Sequence, residues 1–106
     1  MTLDPEDSKI ITLARASRAR NGSAEGAAVR DETGRTYAAT DVTLAALRLS
    51  AVQVAVATAV SSGARSLEAV ALVTGGDGPS DDDRAVAAEL GVTAILVAGP
   101  DGALRG

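Results

Sequence analysis

The side chains in this sequence that could do chemistry are mostly carboxylates. There is no cysteine and no histidine, so disulfides, thiolate ligands and imidazole bases are excluded. The densest cluster is Asp81-Asp82-Asp83. Adjacent carboxylates suit a hard cation such as Mg²⁺ or Ca²⁺ better than Zn²⁺. The same residues follow Ser80 at the start of a helix, where acids answer the positive end of the helix dipole, and that is the simpler reading. Gly75-Gly76-Asp77-Gly78 is flexible enough to cradle a phosphate. It lacks the lysine and the spacing of a phosphate-binding loop, and it reads as a plain loop. Ser50 carries a hydroxyl at the head of a long uncharged stretch. A serine nucleophile needs a base to take its proton, and without histidine the usual base is missing.

Positioning these groups falls to a stretch with little chemistry of its own, residues 48–63, RLSAVQVAVATAVSSG. It contains most of the longest run without a charged side chain, residues 49–64. That run is too short to span a bilayer. The alternation of Val52, Val54 and Val56 fits a strand. Other features favour a helix. Four alanines lie between Ala51 and Ala59, Ser50-Ala51-Val52-Gln53 is a capping box, and Leu49 and Val54 are placed as a hydrophobic staple. Gly63 supplies a left-handed stop. Small apolar residues on nearly every face require cover on nearly every side, which puts this helix at the centre of the molecule.

The remaining elements follow from local signals. Asp4 caps a first helix, with Pro5 in its first turn, Glu6 and Asp7 at its positive end, and Asn21-Gly22 at its close. Its inner face is Ile10, Leu13, Ala14 and Ser17. Residues 24–30 read as a strand, 31–34 as a hairpin turn and 35–40 as the return strand. Residues 41–47 form a connector. Residues 67–74 read as a buried strand. A helix capped by Ser80 runs to Leu90 and stops at Gly91. Residues 92–98 form a second buried strand, and residues 103–106 remain for a short edge strand. Two buried strands joined by a helix imply a parallel pair with a right-handed crossover, hence an α/β sandwich with a mixed sheet.

Composition narrows the function classes. Residues 1–106 suffice for one domain and one core. Tyr37 is the only aromatic, so the core is built from Val, Leu, Ile and Ala, and stacking sites for bases are nearly absent. The net charge of −4 offers no basic surface to nucleic acid or anionic lipid. The opening MTLDPEDSK is no signal peptide, and a cytoplasmic protein is expected.

Three segments carry a family resemblance. They are Ser50-Ala51-Val52-Gln53 with Ala59-Val60-Ser61-Ser62-Gly63, then Pro79-Ser80-Asp81-Asp82-Asp83-Arg84 with Glu89-Leu90-Gly91, and Gly26-Ala27-Ala28-Val29. The first resembles the C-A-E-R and A-V-S-x-G ends of the central helix in the cytidine deaminase family. The second resembles that family's P-C-x-x-C-R loop, and the third its V-G-A-A-L strand. The resemblance runs from the first helix to Gly102. It implies a three-layer cytidine-deaminase-like sandwich, with a mixed sheet of about four to five strands and helices on both faces. The family's C-terminal elements are expected to be truncated.

The resemblance also implies what a site would need and where it would lie. In the family a zinc ion acidifies a bound water and a glutamate moves its proton. The three ligand positions fall on Ser50, Ser80 and Asp83, and the acid–base position on Val52. Serine hydroxyls do not replace thiolates on zinc, and valine carries no proton. No catalytic residue, metal or cofactor is therefore expected. The family's stacking aromatic falls near Ser23 and its N-x-E segment around residues 39–41, where only Asp41 is chemically similar. Asp41 could meet a nucleoside hydroxyl, or be a solvated loop acid. Arg84 keeps the family's arginine position. It could bind an anion in the emptied pocket, although pairing with Asp81 is the simpler reading. The expected function is that of a non-catalytic cytidine deaminase homologue acting by self-assembly or by binding an unknown protein partner. The alternative is a residual nucleoside or small-molecule binder, or a deaminase-type hydrolase. Active family members are dimers or tetramers, so a homo-oligomer through the helix of residues 50–62 is expected, without nucleic acid or membrane.

Overall fold

The computed structural model describes residues 3–105. Helix α1 (Pro5–Asn21) is set by its ends. The Asp4 carboxylate accepts from the Glu6 amide at 2.8 Å, and Gly22 stops the helix at a left-handed φ of 64°. Ile10, Ile11, Ala14 and Ser17 are buried. Ile11 thus takes the inner place expected of Leu13, which is only half-buried.

Strands β1 (Glu25–Asp31) and β2 (Thr36–Thr40) form the expected hairpin, each shifted by about a residue. The Asp31 carboxylate explains the shift. It accepts from the Thr33 amide at 2.9 Å and the Arg35 amide at 3.0 Å, which draws Arg35 into the turn. The connector of residues 41–47 is not structureless. β3 (Val42–Thr43) pairs antiparallel with β4 (Arg48–Leu49) as a small separate ribbon.

Helix α2 (Ala51–Ser61) begins with the capping box read from its sequence. Ser50 Oγ accepts from the Gln53 amide at 3.1 Å, and Gln53 Oε1 accepts from the Ser50 amide at 2.9 Å. Its inner face is Ala51, Val52, Ala55, Val56 and Ala59. Ala57, Thr58, Val60 and Ser61 are exposed, so one chain does not cover this helix on nearly every side.

Next come β5 (Leu67–Thr74), α3 (Asp81–Glu89), β6 (Leu96–Ala98) and β7 (Leu104–Arg105). The expected strand over residues 92–98 is shortened to its last part. Val92 is held back because its amide donates to the Ala87 carbonyl at 2.9 Å, which ties it to the end of α3. The sheet has five strands in the order β2-β1-β5-β6-β7. β5 and β6 run parallel, as the crossover through α3 requires, and the other pairs are antiparallel.

Helices cover both faces. Ala27, Val29, Val70 and Leu72 point toward α2 and α3, joining Val52, Val56, Ala87 and Val92. Ala28, Ala69, Ala71 and Val73 point the other way, toward Ile10, Ile11 and Ala14 of α1. This is the period-two alternation of strands buried on both sides. The second face is made of small residues, so α1 lies close against it. At Gly26 a Cβ would stand 2.1 Å from the Ala14 carbonyl oxygen.

Candidate functional site

The N-termini of α2 and α3 meet beside the start of β1 and the end of β5. Three of the sequence-predicted positions come together there. Ser50 Oγ donates to Asp83 Oδ1 at 2.5 Å. Asp83 Oδ2 accepts from the Ser80 amide at 3.1 Å, and the Asp83 amide donates to Ser80 Oγ at 3.1 Å. Asp83 is only 2% exposed. One carboxylate therefore links the caps of both helices, where the two dipoles favour negative charge. Val52 lies in the first turn of α2, with no exposed surface, in the apolar core.

A fourth polar group was not found from the sequence. It is Glu25, at the start of β1, beside Thr74, Ala51 and Asp83. Burial, and then the neighbouring Asp83 carboxylate, raise its pKa above the ordinary glutamate value. The available signal was an acid directly before Gly26, where the resembled V-G-A-A-L strand has a valine. Glu25 is held in register by Asp41, whose Oδ1 accepts from the Glu25 amide at 3.0 Å. Asp41 is therefore a clamp on β1 as well as a neighbour of the cluster.

The other singled-out residues lie apart. Asp81 and Asp82 are exposed while Asp83 turns inward, so the three acids do not converge on one point. Arg84 faces Asp81 Oδ1 at 3.7 Å, with both side chains largely exposed. In the glycine loop, the Gly76 amide donates to Thr74 Oγ1 and the Gly76 carbonyl accepts from Arg105. Away from this cluster, Asp31 is buried at the hairpin turn. The Thr33 hydroxyl, the Thr33 and Arg35 amides and the Tyr37 hydroxyl all donate to it. These bonds, led by the Thr33 hydroxyl, lower its pKa.

This arrangement, with two helix N-termini facing each other over the end of a mixed sheet, defines a class. The family model for cytidine deaminase-like proteins matches residues 3–102, and the chain belongs to that family. Among curated proteins none matches it in sequence. Among solved structures, cytidine deaminase from Burkholderia pseudomallei is similar at 27% identity and a TM-score of 0.76, covering 92% of this chain and 87% of that one. Cytidine deaminase from Mycobacterium tuberculosis is similar at 25% identity and a TM-score of 0.74, covering 96% and 90%. Cytidine deaminase from Mycobacterium leprae shares the fold at 23% identity and a TM-score of 0.73, covering 96% and 93%.

Proposed function

We propose that this chain is a non-catalytic member of the cytidine deaminase-like family, acting through assembly with itself or with a protein partner. The observation that carries this reading is the closed Ser50–Asp83–Ser80 network. These positions, with Val52, are those at which the resembled enzymes hold zinc and move a proton.

The donor set does not fit zinc. It offers two serine hydroxyls and one carboxylate, against the thiolate, imidazole and carboxylate ligands that zinc takes. Both hydroxyls are already committed to helix capping, and Ser50 Oγ is also spent on Asp83. At the proton-transfer position Val52 is buried among Ala51, Ala55 and Val56. Among the described residues, Glu25 is the one carboxyl beside this cluster with a raised pKa, and burial is the largest cause. What the cluster does well is join two helices.

Assembly is supported by the surface opposite that join. Val60 and the neighbouring Ala57 and Thr58 leave one side of α2 uncharged and exposed, and Leu44 and Leu47 are exposed on the loop before it. Exposed apolar surface of this kind marks contact sites. A second copy suits it, because small side chains let two helices approach closely.

The deciding experiment measures metal content and turnover of purified protein. Elemental analysis is expected to find no stoichiometric zinc, and a spectrophotometric assay no deamination of cytidine or deoxycytidine. Zinc near one per chain, or turnover above background, overturns the reading. Calorimetry with cytidine and uridine tests the small-molecule alternative, for which saturable heat would be required.

A further inference from the structure

A cavity of about 400 Å³ opens beside α3 and is lined by none of Ser50, Val52, Glu25 or Asp83. Its floor is apolar: Val92 is buried, and Ile95 and Val97 are half-buried. Its rim carries Arg84, Arg105 and Asp77. Two guanidiniums and one carboxylate line it, with Asp81 beside Arg84, in a chain whose net charge is −4.

The two arginines are differently prepared. Arg105 is held in place by carbonyls, with Nη1 donating to Thr74 O at 3.2 Å and Gly76 O at 2.7 Å. Among the described residues it has no carboxylate partner within ion-pair distance. Among the described residues nothing accepts from its Nε or Nη2. Arg84 has only the exposed Asp81 at 3.7 Å, a solvent-screened contact that a bound anion can displace. A ligand site of this size commonly combines apolar walls with a few fixed polar groups.

We propose that this cavity binds a small organic carboxylate with a short branched or cyclic apolar body. Its carboxylate would take the free edge of Arg105 and the Arg84 guanidinium, and its body would lie on Val92, Ile95 and Val97. Planar guanidiniums match a carboxylate by paired hydrogen bonds. The Asp77 carboxylate on the rim disfavours a phosphate dianion, and the apolar floor gives inorganic phosphate nothing to cover. This site is independent of the non-catalytic reading, since no residue of the helix-joining cluster belongs to it.

The test is titration of the full chain, isotope-labelled, followed by amide and methyl NMR. The probes are 4-methylpentanoate, its uncharged amide and inorganic phosphate. The acid is expected to shift Val92, Ile95 and Val97 saturably, and the amide and phosphate are not. Arg105→Gln should weaken binding by about tenfold or more, and Arg84→Gln should weaken it measurably. Arg15→Gln, a substitution outside this cavity, should leave it unchanged. If Arg105→Gln loosens β7, as spectral dispersion would show, Arg84→Gln carries the test. No saturable shift with the acid, equal shifts with the amide or with phosphate, or unchanged binding in Arg84→Gln and a folded Arg105→Gln would each overturn the proposal.

Discussion

At the scale of single residues, Val52 and Glu25 stand in an exchange of character. On the correspondence proposed above, the resembled enzymes would have an acid at the first position and an apolar residue at the second, and this chain the reverse. Val52→Glu is expected not to create deaminase activity. It should also destabilise the fold by several kcal/mol at neutral pH, because an ionised carboxylate would be buried without a partner. Chemical denaturation checks this, and a variant as stable as the parent would refute it. Glu25 and Asp31 predict opposite pH behaviour. Glu25 holds its proton more tightly folded than unfolded, so its contribution is full below 4.5 and lost as pH rises through its higher folded value. Asp31 has the lowered value, so its contribution is present above 3.8 and lost as pH falls through its folded value. Glu25→Gln should therefore remove part of the stability loss above 4.5, and Asp31→Asn part of the acid-side loss below 3.8. Denaturation midpoints measured across pH would show each limb flattening separately, and unchanged limbs would refute the assignment. Neither acid stood out in the sequence. Asp31 looked like an ordinary turn residue, and Glu25 acquires its environment only when α2, β5 and α3 arrive from distant parts of the chain.

At the scale of elements, the sequence was most legible where the signal was local. Asp4, Pro5 and Gly22 bound α1, and Ser50 with Gln53 begins α2, because a cap is chemistry within a few residues. The β3–β4 ribbon escaped notice because each strand has two residues, too few for a period to show. The apolar run of residues 92–98 overstates β6 because Val92 is apolar for a different reason: it plugs the end of α3. The contact between α1 and β1 was also invisible in the sequence, although Gly26 marks it. Gly26→Ala would place a methyl group against the Ala14 carbonyl and Arg18 Cβ. Because the obstacle includes helix backbone, α1 must shift away. The expected loss is about 2 kcal/mol or more, in the range of overpacked cores. Urea midpoints of the two proteins decide it, and a change within error would show that α1 is less tightly seated.

At the scale of the whole molecule, the prediction is an oligomer. Val60 is 48% exposed on the outer face of α2, so Val60→Asp should leave the isolated fold intact while placing a charge in the proposed contact. Light scattering over a dilution series should give the parent a mass above one chain and the variant a mass near 10.5 kDa. Because the proposed contact is mainly apolar, added salt should not dissociate the parent. A parent that remains at one chain at high concentration would refute the assembly. The overall architecture was legible because the alternation of apolar and polar stretches decides the layers, whereas the surface left uncovered depends on which helix lies over which strands. That arrangement turns the uncharged run of residues 49–64 into one buried and one exposed side.

The bond from the Tyr37 hydroxyl to Asp31 Oδ2, at 3.1 Å, has a practical side. Tyr37 is the sole chromophore of its kind in the chain, so near-ultraviolet absorbance and intrinsic fluorescence report on one place alone, the β1–β2 hairpin. A carboxylate acceptor quenches phenol emission, so opening of the hairpin should brighten the signal. The molecule thus carries a built-in optical probe of its first hairpin and is nearly dark everywhere else.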